Sequence, residues 1–208
     1  TADFGRKFWE FVKDAGYEHC NNSTGEVQFY RFTMPKSKDY PYMIELFSKK
    51  PNNLFLDDHA RITPLHIDEE ISSLSAILLN EAYYGLLQSG KTMVDGVSVL
   101  DAVCLIPFKA KAWLDLSSRK DNGERIDSKN IRKHKNDVFR LAQLISEERK
   151  TLDIDIKQDM EIFLERMEKE SVDLDSIGVL GSSKEQLLNR LRQCFEIKQS
   201  SPHSPALK

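Results

Sequence analysis

Apolar residues at helical spacing open the chain. Phe4, Phe8, Phe11, Val12 and Ala15 share one face of a helix over 3–15, and Gly16 follows as a stop. Two aromatic-rich runs, "VQFYRFTM" (27–34) and "YMIELFS" (42–48), read as strands joined by a short polar link, hence an antiparallel pair. Residues 49–70 are irregular, with Pro51 and Pro64 as breaks. "ISSLSAILL" (71–79) reads as a strand, "NEAYYGLLQSG" (80–90) as a short helix and "TMVDGVSVL" (92–100) as a strand with Val97 and Val99 on one face.

Helical patterns then take over. Asp101 caps a segment to about Ser118, with Pro107 in its first turn, where a missing N–H costs nothing. Asp127 or Ser128 caps a helix to about Arg149, with Ile131, Val138, Leu141 and Ile145 inward. A third helix starts at Asp155 and turns Ile156, Met160, Phe163, Leu164 and Met167 inward. "SSKEQ" (182–186) holds two overlapping capping boxes ahead of a stripe of Leu187, Leu188, Leu191, Cys194 and Phe195. The class is α+β. The expected organisation is a mixed-sheet core over 1–100, a helical part over 101–198 and a disordered tail over 199–208.

Composition adds limits. The chain has 208 residues, 40% hydrophobic and 30% charged, with net charge −3. This fits a folded protein and argues against wholesale nucleic-acid binding. No apolar run approaches the roughly 18 residues of a membrane span, and no signal-peptide pattern is present. Cys20, Cys104 and Cys194 follow neither metal spacing nor a disulfide framework, so a reducing cytoplasmic setting is expected. The chain opens at Thr1 directly into a helical pattern, from which missing upstream material is expected.

Several stretches carry possible chemistry. "GLLQSGKT" (85–92) fits the phosphate-loop pattern, but that loop follows a strand and opens a helix. Here helix precedes strand, so no helix N-terminus faces the anion. The acidic pairs in "LDIDI" (152–156) and "VDLDSI" (172–177) could hold a divalent cation; helix caps and turns explain them more simply. Glu45 lies between apolar neighbours and shares a strand face with Met43 and Phe47. It reads either as a metal ligand or as an ion pair with Arg31. Lys109 falls with Ala112, Trp113 and Leu116 on one helical side, where its stem packs and its ammonium reaches a phosphate or solvent. "IRKHK" (131–135) is basic but, as a helix, faces several directions. His19, His59, His66, His134 and His203 form no cluster with a nucleophile.

The stretch "VDGVSVLDAVCLIPFKAKAWLDLSSRKDNGERIDSKNIRKHKNDVFRLAQLI", with "FWEFVKDAGYE", "FYRF" and "YMIELFS" before it, resembles the nucleotidyltransferase-like AbiEii family of abortive-infection and toxin–antitoxin proteins. The resemblance covers most of residues 4–148. It implies a polymerase-β-like fold and Mg²⁺-dependent transfer of a nucleotide from an NTP to an RNA or protein acceptor, with a cognate antitoxin as partner. It makes Glu45 the later carboxylate and metal ligand, Lys109 the nucleotide-phosphate lysine and Asp137 the downstream acid. The family's Gly-Ser turn and acidic pair would precede Thr1, so this chain alone is expected to be inactive. Asp115, Leu116 and Arg140 depart from the family pattern, with Arg119 the nearest substitute for its arginine. These departures favour a rival reading, a non-catalytic module whose basic face at Arg132–Lys135 binds nucleic acid or an acidic partner.

Overall fold

A computed structural model describes residues 2–19, 29–50, 62–64, 75–146 and 148–198. The strand expectations at 27–28 and 71–74, Cys20, His59, His66 and the expected tail over 199–208 lie outside them. The chain divides into two compact units between Tyr84 and Gly85, whereas the sequence pattern places the change near residue 100.

The N-terminal unit begins with helix α1 (Ala2–Asp14). Gly16, at φ 65°, ends it: its N–H reaches the Lys13 carbonyl and that of Tyr17 reaches Val12. That pair of hydrogen bonds is what a left-handed glycine permits. Strands β1 (Arg31–Thr33) and β2 (Met43–Glu45) pair antiparallel, with Arg31 opposite Glu45. The chain continues into β3 (Phe47–Lys49), which pairs in parallel with β5 (Ser75–Leu79); β4 (Ile62–Pro64) pairs antiparallel on the other side of β5. Leu46 links the two sheets, donating its N–H to Tyr30 and accepting from Ile77. The expected single mixed sheet is therefore replaced, among the described residues, by separate small sheets.

Val12, Ala15, Tyr17 and Phe32 form this unit's core, flanked by Phe8, Trp9, Tyr40, Ile44 and Leu46. Phe8 and Trp9 meet the Phe32 ring edge-on at 5.2 and 5.8 Å. The tyrosine hydroxyl of Tyr17 donates to the Pro41 carbonyl. Burial, and then Tyr40, push its pKa upward. Phe4 and Phe11, expected inward, are half exposed instead. The buried stripe of α1 is narrower than its aromatic pattern.

Helix α2 (Glu81–Ser89), capped by Asn80, leads into strands β6 (Lys91–Val94) and β7 (Val97–Leu100). The single strand expected over 92–100 is in fact this hairpin. Asp95 and Gly96 both take positive φ, 50° and 79°. Asp-Gly is the dipeptide that a two-residue hairpin turn favours. Val97 and Val99 do lie on one face, but both are exposed.

Helix α3 (Ala102–Asp121) is capped by Asp101, whose carboxylate accepts from the Cys104 N–H at 2.6 Å. Pro107 is not in its first turn: it lies inside the helix and is buried with Val103, Ile106 and Ala110. Its missing N–H cannot reach the Val103 carbonyl, and packing of this apolar face offsets that loss.

Helix α4 (Ser128–Ala142), capped by Asp127, stops before the expected Arg149. Ile145 is buried beyond its end. Helix α5 (Ile154–Lys169) starts at the cap Asp153 rather than at Asp155, and buries Ile156, Met160, Phe163, Leu164 and Met167 as expected. A 3₁₀ turn (Asp175–Ile177) precedes helix α6 (Lys184–Cys194), where Ser183 and Gln186 form the capping box.

Lys184 closes α5. Its ammonium donates to the carbonyls of Met167, Glu168 and Glu170 at 3.1, 3.0 and 2.9 Å. A cation satisfying three carbonyls at a helix C-terminus combines charge-assisted bonds with a favourable dipole. Lys184→Ala is expected to lower stability by about 1.5–3 kcal/mol, measurable by urea denaturation. A change below about 0.5 kcal/mol, the scale of an ordinary surface substitution, would show that solvent serves these carbonyls equally well.

Candidate functional site

The residues expected to carry chemistry fall in both units. In the N-terminal unit, Arg31 donates through Nε to Glu45 Oε1 at 2.7 Å, and its terminal nitrogen lies at the same distance. The cross-strand register of β1 and β2 sets this pair directly. Met43 and Phe47, the neighbours of Glu45 on its face, are exposed; Ile44 and Leu46 turn toward the core. Glu45 therefore does not stand as a bare carboxylate on a buried apolar face. The ion-pair reading accounts for its position.

In the C-terminal unit, helices α3 and α4 bring Lys109 and Asp137 together. Their charged atoms are 3.0 Å apart, with side chains 24% and 18% exposed. Arg140, one turn along α4, approaches the other oxygen of Asp137 at 3.2 Å and donates through Nε to the Ile177 carbonyl at 3.0 Å. One carboxylate thus sits between two cations, and Arg140 ties it to the 3₁₀ turn. Lys109 is half-buried on α3, one turn before the buried Trp113. Asp115 and Leu116, the departures from the family pattern, are both half-buried on α3.

The remaining motifs resolve into local structure. Gly85 is an ordinary position in α2, and Lys91 bonds Gln88 at 2.8 Å in β6. The order is helix then strand, against a phosphate loop. Asp153 accepts from the Asp155 N–H, and Asp173 from that of Ser176, so each acidic pair contributes a cap or turn. Lys135 leaves the expected basic face: its side chain is 13% exposed and bonds Glu170 and Ser171. Among the described residues no group of three or more His, Cys, Asp or Glu side chains is placed to hold a metal. Glu45, a single carboxylate neutralised by Arg31, does not by itself make a fit for Mg²⁺. No described helix is long and apolar enough to cross a membrane.

Sequence reasoning missed a polar groove of about 940 Å³ between the segment after α4 and one face of α6. Gln143, Arg149, Asn189, Arg190, Gln193 and Cys194 are among its lining residues; Lys109 and Asp137 are not. Arg190 donates to the Ala142 carbonyl at 3.2 Å, closing α4. The i, i+3, i+4, i+7 polar stripe of α6 is the sequence signal for this face.

Cys104 and Cys194 are free and buried. Burial pushes the Cys104 thiol up to about 11, aided by a hydrogen bond and the charge of Asp101, against a lowering by Lys150. Burial likewise raises Cys194 to about 11, with Glu148 adding to it. Thiols so held are poor nucleophiles at neutral pH. Unfolded, they ionise near their ordinary value of 9.0. Their contribution to stability is therefore full below pH 9 and is lost as pH rises toward 11, by up to about 1.4 kcal/mol per pH unit for each thiol. Denaturation midpoints measured across this window should fall, and less steeply in Cys104→Ala. An equal slope in that variant would remove Cys104 as a cause.

Comparison with family models, curated proteins and solved structures returns no match to this chain.

Proposed function

We propose that the chain belongs to a nucleotidyltransferase-like protein and that its C-terminal unit contacts the phosphates of an NTP through Lys109. The pairing of Lys109 with Asp137 carries this reading. Two residues far apart in sequence, each singled out by the AbiEii resemblance, meet in one ion pair. In the free protein Asp137 holds the ammonium in place. A polyphosphate, with more charge than one carboxylate, competes for it, while Arg140 retains Asp137. Nucleotide transfer would further need Mg²⁺ held by an acidic pair; no step is assigned to Glu45.

Isothermal calorimetry with ATP and GTP tests the reading. Lys109→Ala should weaken binding at least about tenfold, the scale of a lost charge-assisted contact. Lys91→Ala should leave binding intact, and a large loss there would return the phosphate-loop reading.

The Arg31–Glu45 pair favours a second reading, a non-catalytic binding module on the same scaffold. With Glu45 occupied by an arginine, its burial needs no metal. Removing Glu45 should then leave metal-dependent nucleotide binding unchanged.

A further inference from the structure

The outer face of α4 carries four cations and an asparagine in a line. Lys129, Arg132, Lys133, Asn136 and Arg140 recur at i, i+3, i+4, i+7 and i+11, which places them along one side of a helix. The opposite side is the packed one, with Val138 and Ala142 buried and Ile131 half-buried. The stripe therefore faces solvent. Lys129, Arg132 and Lys133 are exposed, and Asp137, the carboxylate at the edge of their face, is paired with Arg140 and Lys109. None of the three makes an ion pair with another described residue, unlike Lys135, which turns inward to Glu170. The stripe begins at the α4 N-terminus, where Lys120 reaches across from α3 to Ser128 at 2.6 Å. It ends at Arg140, which touches Asp137 beside Lys109.

At 1.5 Å per residue the stripe is about 16 Å long, the span of two or three successive phosphates on an extended strand. The net charge of the whole chain is −3, yet Lys129, Arg132 and Lys133 set three exposed cations within five residues of this face. We propose that the α4 stripe is a track for the phosphate backbone of a nucleic acid, running toward the Lys109–Asp137 pair. This inference deepens the functional reading by giving the acceptor a chemical class. Its contacts are electrostatic and position a strand without reading its bases.

Fluorescence anisotropy with labelled oligouridylate and with labelled duplex DNA tests the track on the whole 208-residue chain. The probe variant is Lys129→Glu with Arg132→Glu and Lys133→Glu, all on the solvent side; circular dichroism verifies its fold. Wild-type protein should bind, and the triple variant at least about tenfold more weakly, with a salt slope shallower by about two for the single strand. Equal loss on both probes assigns the track to the shared backbone, and a preference for one names its source. Undiminished binding by a folded triple variant overturns the proposal, as does labelled polyglutamate binding as well as the nucleic acids. Calorimetry with ATP and GTP separates the two claims. If Lys109→Ala does not alter NTP binding while the triple variant loses nucleic acid, the nucleotide reading falls and the track stands.

Discussion

Gly90→Ala is expected to destabilise the C-terminal unit by about 3 kcal/mol or more, the upper range for forced overpacking. A Cβ at Gly90 would stand 2.5 Å from Cys104 Cβ, 2.6 Å from Cys104 Sγ and 2.8 Å from Leu100 Cδ1. Cys104 is fully buried and its backbone N–H is held by Asp101, so α3 cannot retreat without losing its cap. The Gly90 carbonyl also accepts from the Asp101 N–H at 3.1 Å, fixing the approach from the other side. Gly85→Ala provides the contrast. A Cβ there meets nothing within 4 Å, and alanine in an exposed helix should stabilise by about 0.5–1 kcal/mol. The two glycines of "GLLQSGKT" thus predict opposite signs in a urea titration. A mild effect at Gly90 would mean that α3 shifts to accept the methyl group.

Phe163→Ala should cost about 3–5 kcal/mol, the usual range for removing a buried aromatic ring. Phe163 is fully buried on α5 and meets the Trp113 ring of α3 edge-on at 5.5 Å. Its loss leaves a cavity between two helices that Lys111 and Asp159 also join at the surface, at 2.8 Å. That exposed pair is worth at most about 1 kcal/mol and cannot compensate. Thermal denaturation followed by tryptophan fluorescence would report the change, because Trp113 is the ring exposed by the cavity. A loss under about 1 kcal/mol would indicate collapse of α5 onto α3.

Much of the helical unit was legible. The buried residues of α5 were those the 3.6-residue pattern selects, as were the apolar ones of α6, where Arg192 is buried as well; Asp101 and Asp127 were readable as caps because their side chains precede apolar stripes. Pro107 misled, since a proline rule weighs only backbone hydrogen bonds, while burial on α3 outweighed the missing one. The β6–β7 hairpin was missed although Asp95-Gly96 marks it, because alternation continues through the turn. Lys184 on the α5 carbonyls and Arg190 on the α4 end were not readable, as each joins groups distant in sequence. The candidate site was legible in part. Lys109 and Asp137 were named separately, and helix packing made them a pair. The α4 stripe needed structure because "IRKHK" alone does not show that Lys135 turns inward while Arg132 and Lys133 face solvent.

The most direct measurement compares NTP affinity in wild type, Lys109→Ala and Asp137→Asn. Asparagine keeps the shape of Asp137 but releases Lys109 from a carboxylate 3.0 Å away. If Lys109 binds phosphate in competition with Asp137, the two substitutions act in opposite directions. Lys109→Ala should weaken ATP or GTP binding at least about tenfold, and Asp137→Asn should tighten it severalfold. No NTP binding by wild type, or equal affinity in all three proteins, would contradict the account and leave the pair as a brace between α3 and α4.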